Sequence, residues 1–149
     1  MNTKEQLYTK CSDVLQARLA LVKKSILDLE NALQSETKSS AGDKHETGRA
    51  MIQIEREKAG QQLAEIQKSQ ELLQKIDYNS IHKNIALGSV VYTSQHNYFI
   101  SISVGEISLN EASFYAISPL SPIAKLLLGK TEGDTMIFRD NSFVISKVI

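Results

Sequence analysis

The sequence predicts an α+β protein: an N-terminal antiparallel helical hairpin of coiled-coil character, then a small antiparallel sheet domain with one short helix. Two observations carry this. Residues 1–77 contain no proline, are rich in Gln, Glu, Lys, Ala and Leu, and space their apolar residues at alternating intervals of four and three. From about Tyr78 the apolar period becomes two, and turn residues punctuate the chain at short intervals. The expected boundaries are a hairpin over 1–77, with its tip near 38–48, and a sheet domain over 78–149.

In the first helix Leu15, Leu19, Val22, Ile26, Leu29 and Leu33 form a heptad seam, which Leu7, Cys11 and Val14 continue upstream with a small slip of phase. The second helix carries Ile52, Ala59, Leu63, Ile66 and Leu73 in one frame, with Arg56 and Gln70 at the remaining seam positions. Between them Thr37 to Gly42 holds two serines, an alanine and a glycine, a natural break. Two helices of about 30 residues would give a hairpin roughly 45 Å long. A rival reading lets the helices run on into a self-associating coiled-coil adaptor; the break favours the hairpin, and the chain is expected to be a monomer.

Beyond Tyr78, Ser89 to Thr93 reads as a strand and Ser94 to Asn97 as a turn. Tyr98 to Val104 alternates as a second strand, and Ala112 to Ile117 makes a third. Ser121-Pro122 reads as an N-cap with proline at the first helical position, so Ile123 to Leu128 is expected to be a short helix ended by Gly129. Two last strands, Thr135 to Arg139 and Ser142 to Val148, would be joined by Asp140-Asn141 as a two-residue loop.

Composition excludes several classes of function. Lys and Arg number 17 and so do Asp and Glu; the balance is 12 against 12 in residues 1–77 and 5 against 5 in 78–149. Neither half has the basic excess that displaces counterions from duplex nucleic acid, so direct DNA binding is disfavoured. No apolar run approaches the roughly 18–20 residues of a membrane span, and the opening Met1–Glu5 is not followed by the apolar core of a signal peptide. Cys11 is the sole cysteine and lies on the apolar stripe, so a core role is expected. A reducing cytoplasm is the simplest location.

Asp43 and Glu46 stand at i and i+3 beside the break, on one helical face. Two carboxylates so placed can share Mg²⁺ with water or substrate oxygens. The same spacing also reads as a capping box, with Asp43 bonding the backbone of the second helix and Glu46 reaching back. The two roles compete for the same lone pairs, and spacing alone leaves both open. His45, His82 and His96 have no metal-ligand spacing, and no nucleophile, phosphate-loop or dinucleotide motif is present. Nothing assembles a catalytic centre of the chain's own, and no resident cofactor is expected.

Two separated segments resemble the Gre transcript-cleavage factors of bacterial RNA polymerase. The run Ile117 to Asp134 is similar to that family's "I-S-x-x-S-P-I-A/G-x-x-L-x-G-K-x-x-G-D", and Gly42-Asp43-x-x-Glu46 is similar to the start of its "G-D-x-x-E-N-A" tip. The order of hairpin and sheet domain matches as well. The resemblance implies an FKBP-like sheet domain that docks at the polymerase secondary channel, with Ser118, Ser121, Pro122, Ile123, Ala124 and Lys125 at the contact. It further implies that Asp43 and Glu46, at the hairpin tip, help hold a Mg²⁺ shared with the polymerase. The polymerase would then cut its own backtracked RNA, and the chain would be an activator rather than an enzyme.

After Glu46 the chain departs from that pattern. Thr47, Gly48, Arg49 and Ala50 stand where the family has Asn-Ala, a further acid and an aromatic residue. From Glu36 to Arg49, three acids (Glu36, Asp43, Glu46) meet three fixed bases (Lys38, Lys44, Arg49), and a neutral tip attracts Mg²⁺ less strongly. A channel-occupying regulator or inhibitor of polymerase that does not stimulate cleavage is therefore a second expectation. A peptidyl-prolyl isomerase is a third, because the FKBP-like type includes such enzymes. It would need an aromatic pocket, and the aromatic residues beyond Tyr78 fall mostly on expected strands.

Overall fold

The computed structural model describes residues 2–38 and 42–149, with backbone alone for residues 37–38 and 42–46. Helix α1 spans Thr3–Lys38 and α2 spans Gly42–Gln74. At 1.5 Å per residue these are about 54 and 50 Å of helix. Asn2 caps α1: its Oδ1 accepts from Glu5 N at 2.7 Å, which satisfies one of the orphan donors of the first turn. At its close α2 tightens, with Lys75 N donating to Leu72 O and Ile76 N to Leu73 O.

Contacts divide the chain into two compact units, residues 15–70 and residues 1–14 with 71–149. In the first unit the heptad seam is the protected stripe. Leu15, Ala59 and Ile66 are buried, while Leu19, Val22, Ile26, Leu29, Leu33, Ile52 and Leu63 are partly covered. Polar contacts flank it: Arg56 Nε meets Glu30 Oε1 at 3.4 Å across the hairpin, and Lys58–Glu55 and Lys68–Glu65 pair one turn apart on α2. All are exposed, so burial of the seam stabilises the unit more than they do.

The second unit is built on a six-stranded sheet. Its strands are β1 (Val90–Thr93), β2 (Asn97–Ile100), β3 (Gly105–Leu109), β4 (Ala112–Ile117), β5 (Thr135–Phe138) and β6 (Asn141–Val148), in the order β3-β4-β2-β1-β6-β5. Helix α3 (Pro122–Leu127) packs on one face, where Val91, Ile100, Met136, Phe143 and Ile145 join Ala124 and Leu127 in a single core. The opposite face, carried by Val90, Phe99, Phe114, Ala116 and Ile107, is equally buried. On that side Cys11, fully buried in α1, brings its Sγ to 3.7 Å from Ser101 Oγ, which places the cysteine in the core as its stripe position predicts.

Three expectations need correction. The sheet is mixed rather than antiparallel, because β2 and β4 pair in parallel, Asn97 opposite Phe114 through Ile100 opposite Ile117. The second strand stops at Ile100 instead of Val104. Ser101 N turns to Ile117 O and Val104 N to Ile102 O and Ala116 O, so the backbone bends where the sequence still alternates. The chain then runs into β3, an unforeseen strand that forms a hairpin with β4 through Asn110-Glu111. Both of these residues have positive φ (50° and 66°). That detour delivers β4 to the edge of β2 in the parallel sense.

The last hairpin is shifted by one residue. Its loop is Arg139-Asp140, with φ of 49° and 67°, and Phe138 faces Asn141. The far end of the hairpin sets this register, where Ile145 N donates to Asp134 O and Gly133 N to Ile145 O. Only two residues are then left for the turn. Helix α3 matches its expectation to within one residue: it begins at Pro122, and Gly129 follows its end at φ +84°.

Candidate functional site

The carboxylate pair begins with backbone alone. Asp43 and Glu46 lie near the start of α2, three residues apart in helical backbone. The side chains of Asp43, Lys44, His45 and Glu46 lie outside the described residues, as does the choice between cap and metal ligand. Nearby, Gly48 sits so close to α1 that an added Cβ would fall 3.2 Å from the Glu36 carboxyl group. The contact is with the far end of a flexible side chain, which can give by the few tenths of an ångström that a Cβ would need.

The segment around α3 is described in full. Ser121 adopts an extended backbone, its Oγ accepts from Ala124 N at 3.3 Å and donates to Ser118 O at 2.8 Å. Ser118 Oγ in turn accepts from Leu120 N at 3.1 Å, and Ser121 N donates to Ser118 O. Both hydroxyls are thus spent on shaping the turn and starting the helix. Ala124 is fully buried and belongs to the core, so it offers no surface to a partner. Ile123 is partly covered against the same core.

What the segment leaves outside is a different subset. Pro122 and Lys125 are exposed, and so are Leu120 (75%) and Leu128 (37%), which flank the helix at its two ends. Sequence reasoning missed the two leucines. Their signal is positional: they occupy the unmatched positions of the motif, beside residues that the fold consumes. Large apolar side chains left in water beside a rigidly capped turn are candidates for protein contact.

A polar cluster lies elsewhere in the same unit. Lys4 is buried (3% exposed) and its Nζ donates to Ser80 O at 2.8 Å; burial lowers its pKa, while the Asp77 carboxylate opposes that shift. His82 is hydrogen-bonded through Nδ1 to the fully buried Ser89 Oγ and through Nε2 to Ser80 Oγ. Burial, and then the charge of Lys4, hold its pKa below the ordinary value. Ser89 Oγ also accepts from Ala86 N, so the cluster pins the segment after α2 to the start of β1.

Among the described residues no group of three or more His, Cys, Asp and Glu could hold a metal ion, and no helix is long and apolar enough to cross a membrane. No protein-family profile and no curated protein sequence matches the chain. A solved structure described as that of the transcription factor Gfh1 is similar at 18% identity, over 95% of this chain and 92% of that one, with a TM-score of 0.34. Figures this low carry no argument about function, and the α+β class stands on the elements described above.

Proposed function

We propose that this chain is a Gre-like transcription elongation factor that binds RNA polymerase at the secondary channel and stimulates the polymerase's cleavage of backtracked RNA. One observation supports the reading above others: the segment resembling the Gre contact folds as a capped helix that spends its serines internally and leaves Leu120, Pro122 and Lys125 outside. In this reading the sheet domain, of the FKBP-like type, docks through those three residues. The hairpin of α1 and α2 enters the channel with Gly42-Asp43-x-x-Glu46 leading. Asp43 and Glu46, three residues apart near the start of α2, would together hold a Mg²⁺ shared with the polymerase. When bound there, that ion would lower the pKa of a water and so supply the nucleophile for phosphodiester hydrolysis. The chain is then a cytoplasmic monomer with no enzymatic activity and no cofactor of its own.

The test is RNA cleavage by a stalled polymerase with and without the protein. Shortened RNA that disappears with Asp43→Asn and Glu46→Gln supports the reading. Binding without shortened RNA would favour the second one, a non-cleaving regulator or inhibitor, for which Lys44, Arg49 and the missing third acid argue. Isomerisation of a prolyl test peptide, or stable self-association, would point instead to the isomerase or the adaptor.

A further inference from the structure

Helix α3 packs on one face of the sheet. The turn before β2 and the turn between β5 and β6 approach one another and leave a cleft of about 210 Å³. Tyr98, Phe138 and Phe143 line it, with His96 and Arg139 among the polar residues at its edge. Partner registers place the aromatic walls on one face: Val91 opposite Tyr98, Tyr98 opposite Tyr115, and Met136 opposite Phe143.

These walls are held in place. Thr93 Oγ1 accepts from both Gln95 N and His96 N and donates to His96 O, which fixes the first turn. Gln95 Nε2 donates to Ser142 O, and Ser94 exchanges bonds with Val144, so the turn is tied to β6. His96 stands edge-on to Tyr115 (5.4 Å between centroids) and to Tyr98 (6.4 Å). Burial, and then Tyr115, push the Tyr98 hydroxyl up, which keeps it neutral.

Arg139 supplies the charge. Its guanidinium lies 5.0 Å from the centre of the Phe138 ring, and among the described residues no carboxylate pairs with it. A guanidinium stacked on a ring keeps its N–H groups at the edge free for a carboxylate. The cleft is too small for a drug-sized ligand and suits a single ring, which would meet the faces and edges of its walls.

We infer that this cleft is a peptide-recognition site that takes one aromatic side chain from a protein partner, with an adjacent carboxylate held by Arg139. A peptide is favoured over RNA because a single fixed cation does not neutralise a phosphate backbone, and the chain has no net positive charge. The site is distinct from the α3 surface and stands or falls independently of the polymerase reading.

The experiment titrates the full chain, followed by ¹H–¹⁵N NMR, with blocked tetrapeptides carrying Phe-Asp, Phe-Lys, Ala-Asp or Pro-Asp at their centre, and with a short oligouridylate. The expected result is saturable shifts at His96, Tyr98 and Phe138 with Phe-Asp, and a Kd of about a millimolar, as one small anchor allows. Phe-Lys and Ala-Asp should bind at least fivefold more weakly. Arg139→Gln, at an exposed turn, should remove the preference for Phe-Asp over Phe-Lys while leaving the rest of the spectrum in place. Equal shifts with Phe-Asp and Phe-Lys, tighter binding of Pro-Asp or of the oligouridylate, or shifts that do not map to the cleft would each overturn the inference.

Discussion

At the scale of single residues, His82 gives this protein a pH dependence whose sign can be worked out. Its pKa in the fold lies below the ordinary 6.5 because the ring is partly buried and Lys4 is near. The unfolded chain therefore takes up the proton first as pH falls. The stabilisation is whole above about pH 6.5 and is lost as pH drops through the folded value. Urea midpoints measured at about pH 7.5 and pH 5 should show the loss, and His82→Gln should make the two midpoints more alike. Lys4 acts over a different range: its lowered pKa costs stability at neutral pH, and the cost is relieved as pH rises through the folded value towards 10.5, so it leaves the acid response to His82. A second residue works through the backbone. Glu111 holds φ at 66°, where a side chain with a Cβ is strained, so Glu111→Gly should raise stability by roughly 0.5–1 kcal/mol in the same assay.

At the scale of elements, the legible parts of the sequence were those governed by local chemistry. The seam from Leu15 to Leu33 and the Ser121-Pro122 cap each follow from spacing or side-chain type, and both stand in the fold at their expected places. Ser121→Ala should cost about 1 kcal/mol, since it removes the acceptor for Ala124 N. Leu15→Ala, at a buried seam position, should cost about 2–4 kcal/mol. Strand pairing was less legible because it is decided between distant segments. The run from Tyr98 to Val104 alternates throughout, yet Ser101 bonds to Ile117 across the sheet and ends the strand early. Strand β3 carried a signal in Ile107 and Leu109, apolar residues two apart before Asn110, but it was too short to stand out. The same rule applies to the α3 surface. Its motif marked the capped helix, whereas the division between residues that build it and residues that face outward depended on where the core lay. Ala124 went inward and Leu120 outward.

For the whole molecule, the proposed role makes the α3 surface and the α2 carboxylates separable. Leu120→Glu places a charge on an exposed apolar side chain and should weaken polymerase binding at least tenfold without altering the urea midpoint. Asp43→Asn with Glu46→Gln should leave binding unchanged and abolish added cleavage. A competition assay against labelled wild-type protein, run beside the cleavage assay, distinguishes these outcomes. Loss of binding in the carboxylate variant would show that the two parts do not divide the work in this way.

The division of the chain into residues 15–70 on one hand, and 1–14 with 71–149 on the other, has a consequence for synthesis. Contacts in the hairpin seam join residues from one continuous stretch. The start of α1, by contrast, meets its core partner 90 residues later, where Cys11 reaches Ser101. Non-local pairing of this kind is slow, because loop closure must precede the contacts that reward it. On the ribosome the first 14 residues must therefore wait, unpacked, until most of the chain has emerged, while the seam behind them can already zip. Their apolar stripe, Leu7 and Cys11 above all, is the surface most open to misassociation during that interval. Arrested nascent chains of increasing length should become resistant to protease in the order 15–70 first and 1–14 last.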